Sequence, residues 1–187
     1  VKEDDKLDFD GYSIFPFKVK HGVPTLGYCL IEDYRPGKFN KKKALELGIP
    51  EGPMFSKLQK SRSIVLKDGR TIYPDMVLGP ARKGRKLVIS GDTAPTQNMI
   101  KYSSDADLLI HEATFSSEFE DVSSEYGHST AKQAAEIAKK ANVKKLYLTH
   151  ISPRHLDYKV LLDEAKKIFK NSFIPKDFEE IEVKLKK

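Results

Sequence analysis

The 187 residues are 39% hydrophobic and 32% charged, the balance of a globular chain with an apolar core rather than a disordered one. Its longest apolar runs, such as Leu108 to Ile110, are far too short for a bilayer, so a membrane-spanning protein is excluded. A single cysteine, Cys29, excludes an internal disulfide and every cysteine-rich zinc fold, so any metal must sit on imidazole and carboxylate, and a reducing, cytoplasmic compartment is expected.

The net charge is +6, and its placement is uneven. Between Arg35 and Arg62 there are eight basic and two acidic residues, an excess equal to that of the whole chain. A second cluster is Arg82, Lys83, Arg85 and Lys86. Basic stretches of this kind attract phosphate backbones. A solvated, lysine-rich surface is the plainer alternative. No charged leader with an apolar core opens the chain, so secretion is not expected. Val1 stands where a methionine would start a protein, and the chain is expected to be a section of a longer one.

In chain order, Tyr12 to His21 alternates as a half-buried strand, and Gly22-Val23-Pro24 turns it back into Thr25 to Ile31. From Glu32 to Met54 the breakers Pro36, Gly37, Gly48, Pro50, Gly52 and Pro53 leave room for one short helix, Lys41 to Leu47. This stretch reads as an arm or long loop outside the core. Ser63 to Lys67 and Arg70 to Tyr73 flank Asp68-Gly69, a hairpin signal. Arg85 to Ser90 and Ala106 to His111 read as short buried strands. Thr130 to Ala141 reads as a helix with a capping-box start, Thr130 and Gln133, and an alanine stripe at 131, 134, 135, 138 and 141. Lys144 to His150 is a strand, Asp157 to Phe169 a helix and Glu179 to Leu185 a last strand. Strands first, then strands alternating with helices, give an α/β layered fold.

Polar residues fall where strands end. His21, Asp92 and His150 each close a strand, His111-Glu112 closes another, and His128 directly precedes a helix. The crevice beyond strand ends is where ligands bind in open α/β sheets. A lone histidine there is more often a satisfied hydrogen-bonding residue than a ligand. Several together, with an aspartate, suit zinc.

Six strings then carry a resemblance: KHGVPTLGYCL (20–30), RPGKFNKKKALELGIPEGPMFSKL (35–58), VLGPARKGRKLVISGDT (77–93), DADLLIHEATF (105–115), GHSTAKQAAEIA (127–138) and LYLTHISPRH (146–155). In this order and spacing the chain resembles the C-terminal part of ribonuclease Z, the tRNA 3′-end processing endonuclease of the metallo-β-lactamase superfamily. The resemblance implies the C-terminal half of an αββα four-layer sandwich across 1–187, with an inserted tRNA-binding arm at 34–58. It implies two Zn2+ ions per complete site, with His21, Asp92 and His150 as ligands and Asp92 bridging. It implies His128 as the catalytic histidine and Glu112 as the carboxylate that orients it. Thr114, Ser152 and Arg154 resemble positions lining the substrate phosphate, and His155 stands where the family often has tyrosine. In the arm, Lys41, Lys42 and Lys43 would meet tRNA phosphates, and Gly48, Pro50, Gly52 and Pro53 mark the matching loop. Precursor tRNA and a second copy of the chain are the implied partners.

The principal zinc motif of that family, His-x-His-x-Asp-His, does not occur in these residues. Asp92 as a bridge leaves each ion two protein ligands, too few for a catalytic zinc. The missing ligands are expected from an N-terminal half of the same enzyme. A half sandwich is also expected to expose the inner face of its sheet. Two further readings stay open: a tRNA-binding fragment without catalysis, and another hydrolase of the superfamily acting on a small phosphodiester.

Overall fold

In the computed structural model, which describes residues 2, 3 and 5–185, the chain opens with three antiparallel strands: β1 (Leu7–Phe9), β2 (Tyr12–Lys18) and β3 (Leu26–Glu32). A separate compact unit, Asp33–Gly84, follows with helices α1 (Lys41–Glu46) and α2 (Pro53–Gln59) and the hairpin β4 (Ile64–Val65) and β5 (Thr71–Ile72). The chain then returns to the first unit as β6 (Lys86–Ile89), α3 (Gln97–Ser103), β7 (Leu108–Glu112), α4 (Glu120–Tyr126), α5 (Ala131–Lys140), β8 (Leu146–Thr149), α6 (Lys159–Ile168) and β9 (Ser172–Phe173). No helix among the described residues is long and apolar enough to cross a membrane.

The first unit holds one mixed sheet in the order β1-β2-β3-β6-β7-β8-β9. Strands β1, β2, β3 and β6 are antiparallel neighbours, and β6 to β9 run parallel. Period-2 alternation sorts their side chains. Phe17, Cys29, Val88, Leu109, Leu146 and Leu148 point into one core with Met99 of α3, the alanines of α5, and Leu161 and Ala165 of α6. The alanine stripe is at most 3% exposed, as small residues permit close helix–sheet approach. Thr130 Oγ1 accepts from Gln133 N at 3.2 Å and Gln133 Oε1 accepts from Thr130 N at 3.0 Å, so the capping box forms as its spacing predicts.

On the other face the register aligns Pro16, Tyr28, Ile89, Ile110, Tyr147 and Phe173 in one row across the sheet. Tyr28, Ile89 and Phe173 remain 40%, 49% and 38% exposed, which is the open apolar face expected of half a sandwich.

The Asp33–Gly84 unit has a core of its own. Ala44, Ile49, Leu58, Ile64, Leu66, Ile72 and Val77 are buried together, with Phe39, Leu47, Met54, Phe55 and Met76 against them. The stretch 32–54, expected to lie outside the core, thus contributes Ala44 and Ile49 to one. The second helix, α2, was hidden by its breakers. Pro53 sits in its first turn, where a missing N–H costs nothing, and Gly52 supplies the φ of 132° that starts it. A Cβ on Gly37 would lie 1.9 Å from the Gly79 carbonyl oxygen, so only glycine lets these two segments cross.

Two further helices, α3 and α4, were unmarked in the sequence because their exposed faces are polar and their apolar positions few. The last expected strand, Glu179 to Leu185, does not form. The Val183 carbonyl accepts instead from Arg85 Nη1 at 2.9 Å. Replacing Thr130 by Ala removes a buried cap and is expected to lower stability by about 1 kcal/mol, read from the urea midpoint at unchanged slope.

Candidate active site

Each polar residue singled out at a strand end of the first unit is placed by local backbone chemistry. Glu112 is the last residue of β7 and 1% exposed. Oε1 accepts from Thr93 N at 2.9 Å and from His128 Nδ1 at 2.8 Å. Oε2 accepts from Thr114 N at 3.1 Å and lies 2.9 Å from Thr114 Oγ1. Four donors on two oxygens satisfy an ionised carboxylate and leave no acceptor unpaired.

His128 lies between the C-terminus of α4 and the cap of α5. Gly127, with φ 73°, ends α4, and the His128 N–H donates to the Ser123 carbonyl at 2.8 Å. Next to it, Ser129 Oγ donates to the Thr93 carbonyl at 2.6 Å, tying the loop to the residue that also binds Glu112. The imidazole spends Nδ1 on Glu112, which fixes Nδ1–H and turns the Nε2 lone pair outward.

His21 follows β2 beyond a bridge between Lys20 and Ala94. Its Nδ1 is 3.0 Å from the Gly127 carbonyl oxygen. A carbonyl only accepts, so Nδ1 carries the proton and Nε2 the free lone pair. A Cβ on Gly127 would meet the His21 Cα at 3.0 Å and Nδ1 at 3.2 Å, so glycine is required there both by contact and by φ. His150 directly follows β8 with φ 54°, an uncommon backbone for a residue with a Cβ and costly by about 1–3 kcal/mol. Its Nδ1 lies 2.9 Å from Thr114 Oγ1 and 3.6 Å from Asp92 Oδ1.

The rings gather closely: His21 and His128 centroids are 4.8 Å apart, His128 and His150 5.3 Å. One donor atom each of Glu112, His128 and His150 lies within 4.8 Å of the others. That trio is a hydrogen-bond network rather than a ligand set, because both Glu112 oxygens and His128 Nδ1 are already engaged. Besides the outward Nε2 of His128, the free donors of the type zinc takes are His21 Nε2, His150 Nε2 and the partly exposed Asp92 carboxylate. A ligating histidine characteristically donates its other N–H to a carbonyl or carboxylate; His21 Nδ1 is so placed on the Gly127 carbonyl, whereas His150 Nδ1 faces the Thr114 hydroxyl. The residues present therefore fit a zinc site in kind, with three donors in number.

Thr114, expected to line the substrate, is 7% exposed and turned into this network. Ser152 N–H donates to the Thr114 carbonyl at 3.1 Å, and Ser152 Oγ accepts from Arg154 Nε at 3.2 Å. The Arg154 guanidinium lies over Phe115 at 4.9 Å and Phe119 at 5.6 Å, an aromatic seat that the sequence did not signal. His155 Nε2 accepts from Ser116 N at 3.3 Å, so its lone pair is spent inside the protein.

Lys41, Lys42, Lys43, Gly48, Pro50, Gly52 and Pro53 lie in the Asp33–Gly84 unit. Lys41 pairs with Glu51 at 2.8 Å and Lys42 with Glu46 at 3.9 Å. Such exposed pairs are worth about 0–1 kcal/mol and yield readily to a phosphate. Gly48, with φ 80°, ends the turn after α1, where its N–H reaches the Leu45 carbonyl.

His111, one residue before Glu112 and noted in the sequence at the same strand end without a role, is fully buried. Its Nδ1 donates to the Glu112 carbonyl at 2.7 Å, and among the described residues its Nε2 has no hydrogen-bond partner.

Compared with known proteins, residues 67–151 match the model of the β-lactamase superfamily domain. Ribonuclease Z of Archaeoglobus fulgidus is 52% identical over 185 residues, covering 98% of this chain and 60% of that protein. Ribonuclease Z of Methanosarcina acetivorans is 44% identical over 184 residues, again 98% and 60%. The chain thus spans about 60% of the length of the curated relatives it matches. Two solved structures share its fold: the metallo-β-lactamase fold protein YhfI of Bacillus subtilis, at TM-score 0.59 and 21% identity over 94% of this chain and 52% of that one, and the short form of human tRNase Z, at 0.57 and 24% over 96% and 45%.

Burial holds the His111 imidazole below its ordinary pKa of 6.5, against the pull of the Glu112 carbonyl and charge. The unfolded chain then binds this proton first. Stability is expected to fall as pH drops from about 6.5 toward the folded value, and to level off below it. Replacing His111 by Gln should flatten that limb in a series of urea midpoints against pH.

Proposed function

We propose that this chain, which has the metallo-β-lactamase fold and resembles ribonuclease Z over nearly its whole length, carries part of the active site of a zinc-dependent endoribonuclease that removes the 3′ trailer from precursor tRNA and leaves a 3′-hydroxyl. The observation that carries the reading is the buried Glu112–His128 pair set among His21, His150 and Asp92. A hydrolase that breaks a phosphodiester needs a group to protonate the leaving oxygen beside a site for metal, and this arrangement supplies the first and the beginning of the second.

Glu112 orients the His128 ring and stabilises the positive charge that develops when Nε2 holds a proton. His128 Nε2 is the atom from which that proton reaches the leaving 3′-oxygen. His21, Asp92 and His150 would hold the metal, and the remaining ligands of a two-ion site would come from the part of the relatives that this chain does not span. When bound, zinc would supply a Lewis acid for the phosphoryl oxygen and an acidified water. Arg154, which lies over two phenylalanines and donates to Ser152, would receive a backbone phosphate, a reading its guanidinium geometry supports. The lysines of α1 give the Asp33–Gly84 unit its footprint for tRNA. A second copy of the chain and a cytoplasmic setting complete the reading.

In the full enzyme, replacing His128 by Ala is expected to slow cleavage of a 3′-extended precursor by at least about 100-fold while metal content stays unchanged. His150→Ala should lower metal content as well. Normal cleavage by the His128 variant would remove it from this role.

Binding of tRNA without cleavage is the second reading, favoured by the three donors that these residues alone provide. Both readings predict that changing Lys41, Lys42 and Lys43 together to Ala reduces the salt slope of tRNA binding by about two to three. An unchanged slope would take α1 out of the interface.

A further inference from the structure

The Thr114 hydroxyl stands among three groups: Glu112 Oε2 at 2.9 Å, His150 Nδ1 at 2.9 Å and His128 Nδ1 at 3.3 Å. It has one proton to give. The Glu112 carboxylate only accepts, and a bond to a charged acceptor is about twice as strong as one to a neutral acceptor. The hydroxyl proton therefore goes to Glu112, and the oxygen is left to accept. His150 Nδ1, at hydrogen-bond distance from that oxygen, must then carry its own proton. Asp92 Oδ1, 3.6 Å from the same nitrogen, favours the same choice.

We propose that Thr114 is a positioning residue that couples His150 to Glu112, so that one buried carboxylate sets the tautomers of both His128 and His150 with Nε2 free. His128 is held directly, and His150 through the hydroxyl. The Gly127 carbonyl does the same for His21 from the other side. All three imidazoles then present Nε2 before any metal arrives, and no tautomer has to change on binding. Thr114 thereby acts through His150 rather than on substrate, in keeping with its 7% exposure. Its consequence for metal rests on the proposed role of His150; the tautomer itself does not.

The test compares Thr114→Val, which keeps shape and removes the hydroxyl, with Thr114→Ser, which keeps the hydroxyl. Ring nitrogen shifts are read by NMR in metal-free protein at about pH 8, above the histidine range. Zinc affinity is read by competition with a chromophoric chelator. The wild type and the Ser variant should show His150 protonated on Nδ1. The Val variant should move His150 toward protonation on Nε2, leave His21 unchanged, and bind zinc about 10–100-fold more weakly. If Val folds poorly, Thr114→Ala against Thr114→Ser gives the same contrast. Wild-type His150 shifts in the Val or Ala variant would overturn the proposal. So would a Ser variant that behaves like Val, since the methyl rather than the hydroxyl would then matter. A tautomer change without loss of zinc affinity would support the coupling and remove His150 from the ligand set.

Discussion

The ionised carboxylate of Glu112, buried at the end of β7, is the constraint around which this site is built. A charge out of water is tolerated only when every lone pair is used. Here the donors come from three separate places in the chain: Thr93 after β6, Thr114 after β7 and His128 before α5. Meeting the needs of one carboxylate therefore pulls together the loops that follow two adjacent strands and the start of the helix behind them. The Ser129 hydroxyl on the Thr93 carbonyl and the Gly127 carbonyl on His21 extend the same network outward.

Topology makes this possible. Strands β6, β7 and β8 are parallel, so Asp92, Glu112 and His150 emerge in order from their C-terminal ends. The strand β2 hairpin adds His21 from the antiparallel side through the Lys20 bridge to Ala94. The backbone shows where position outweighs comfort: His150 takes a left-handed conformation, a sign of a side chain fixed by its surroundings rather than by local preference. The fully buried His111, kept neutral by desolvation, bonds to the Glu112 carbonyl and helps to fix the strand end from below.

Much of this was legible in the sequence, and the exceptions share a cause. Short buried strands flagged themselves by apolar runs, α5 by its alanine stripe and capping box, and the β4–β5 turn by Asp68-Gly69. Polar residues at those strand ends marked the site before any geometry was known. Proline and glycine misled where they punctuate a helix start, as at Gly52-Pro53, because a breaker inside a helix is a starter at its first turn. The polar helices α3 and α4 carried no periodic signal. Thr114, expected to line the substrate phosphate, turns its hydroxyl into the Glu112 network, and a hydroxyl looks the same in sequence whether it faces in or out. The Phe115 and Phe119 seat of Arg154 was invisible for a similar reason: residues 35 and 39 positions apart meet only in the fold.

Two incompletenesses of the first unit point the same way. The sheet is covered by helices on one face, while the row from Pro16 to Phe173 stays open on the other. Beside His128 the site offers three zinc-type donors, His21, His150 and Asp92, one short of what a single closed zinc needs and further short of two. In the four-layer arrangement that the fold implies, a second αβ half would lie on the open face and bring more donors to the same strand ends. On the reading proposed above, covering the apolar row and completing the metal site would be one event. On the proposed reading, such coupling would tie metal affinity to the packing of an apolar surface, and the metal would stabilise the assembled sandwich by as much as assembly tightens the metal.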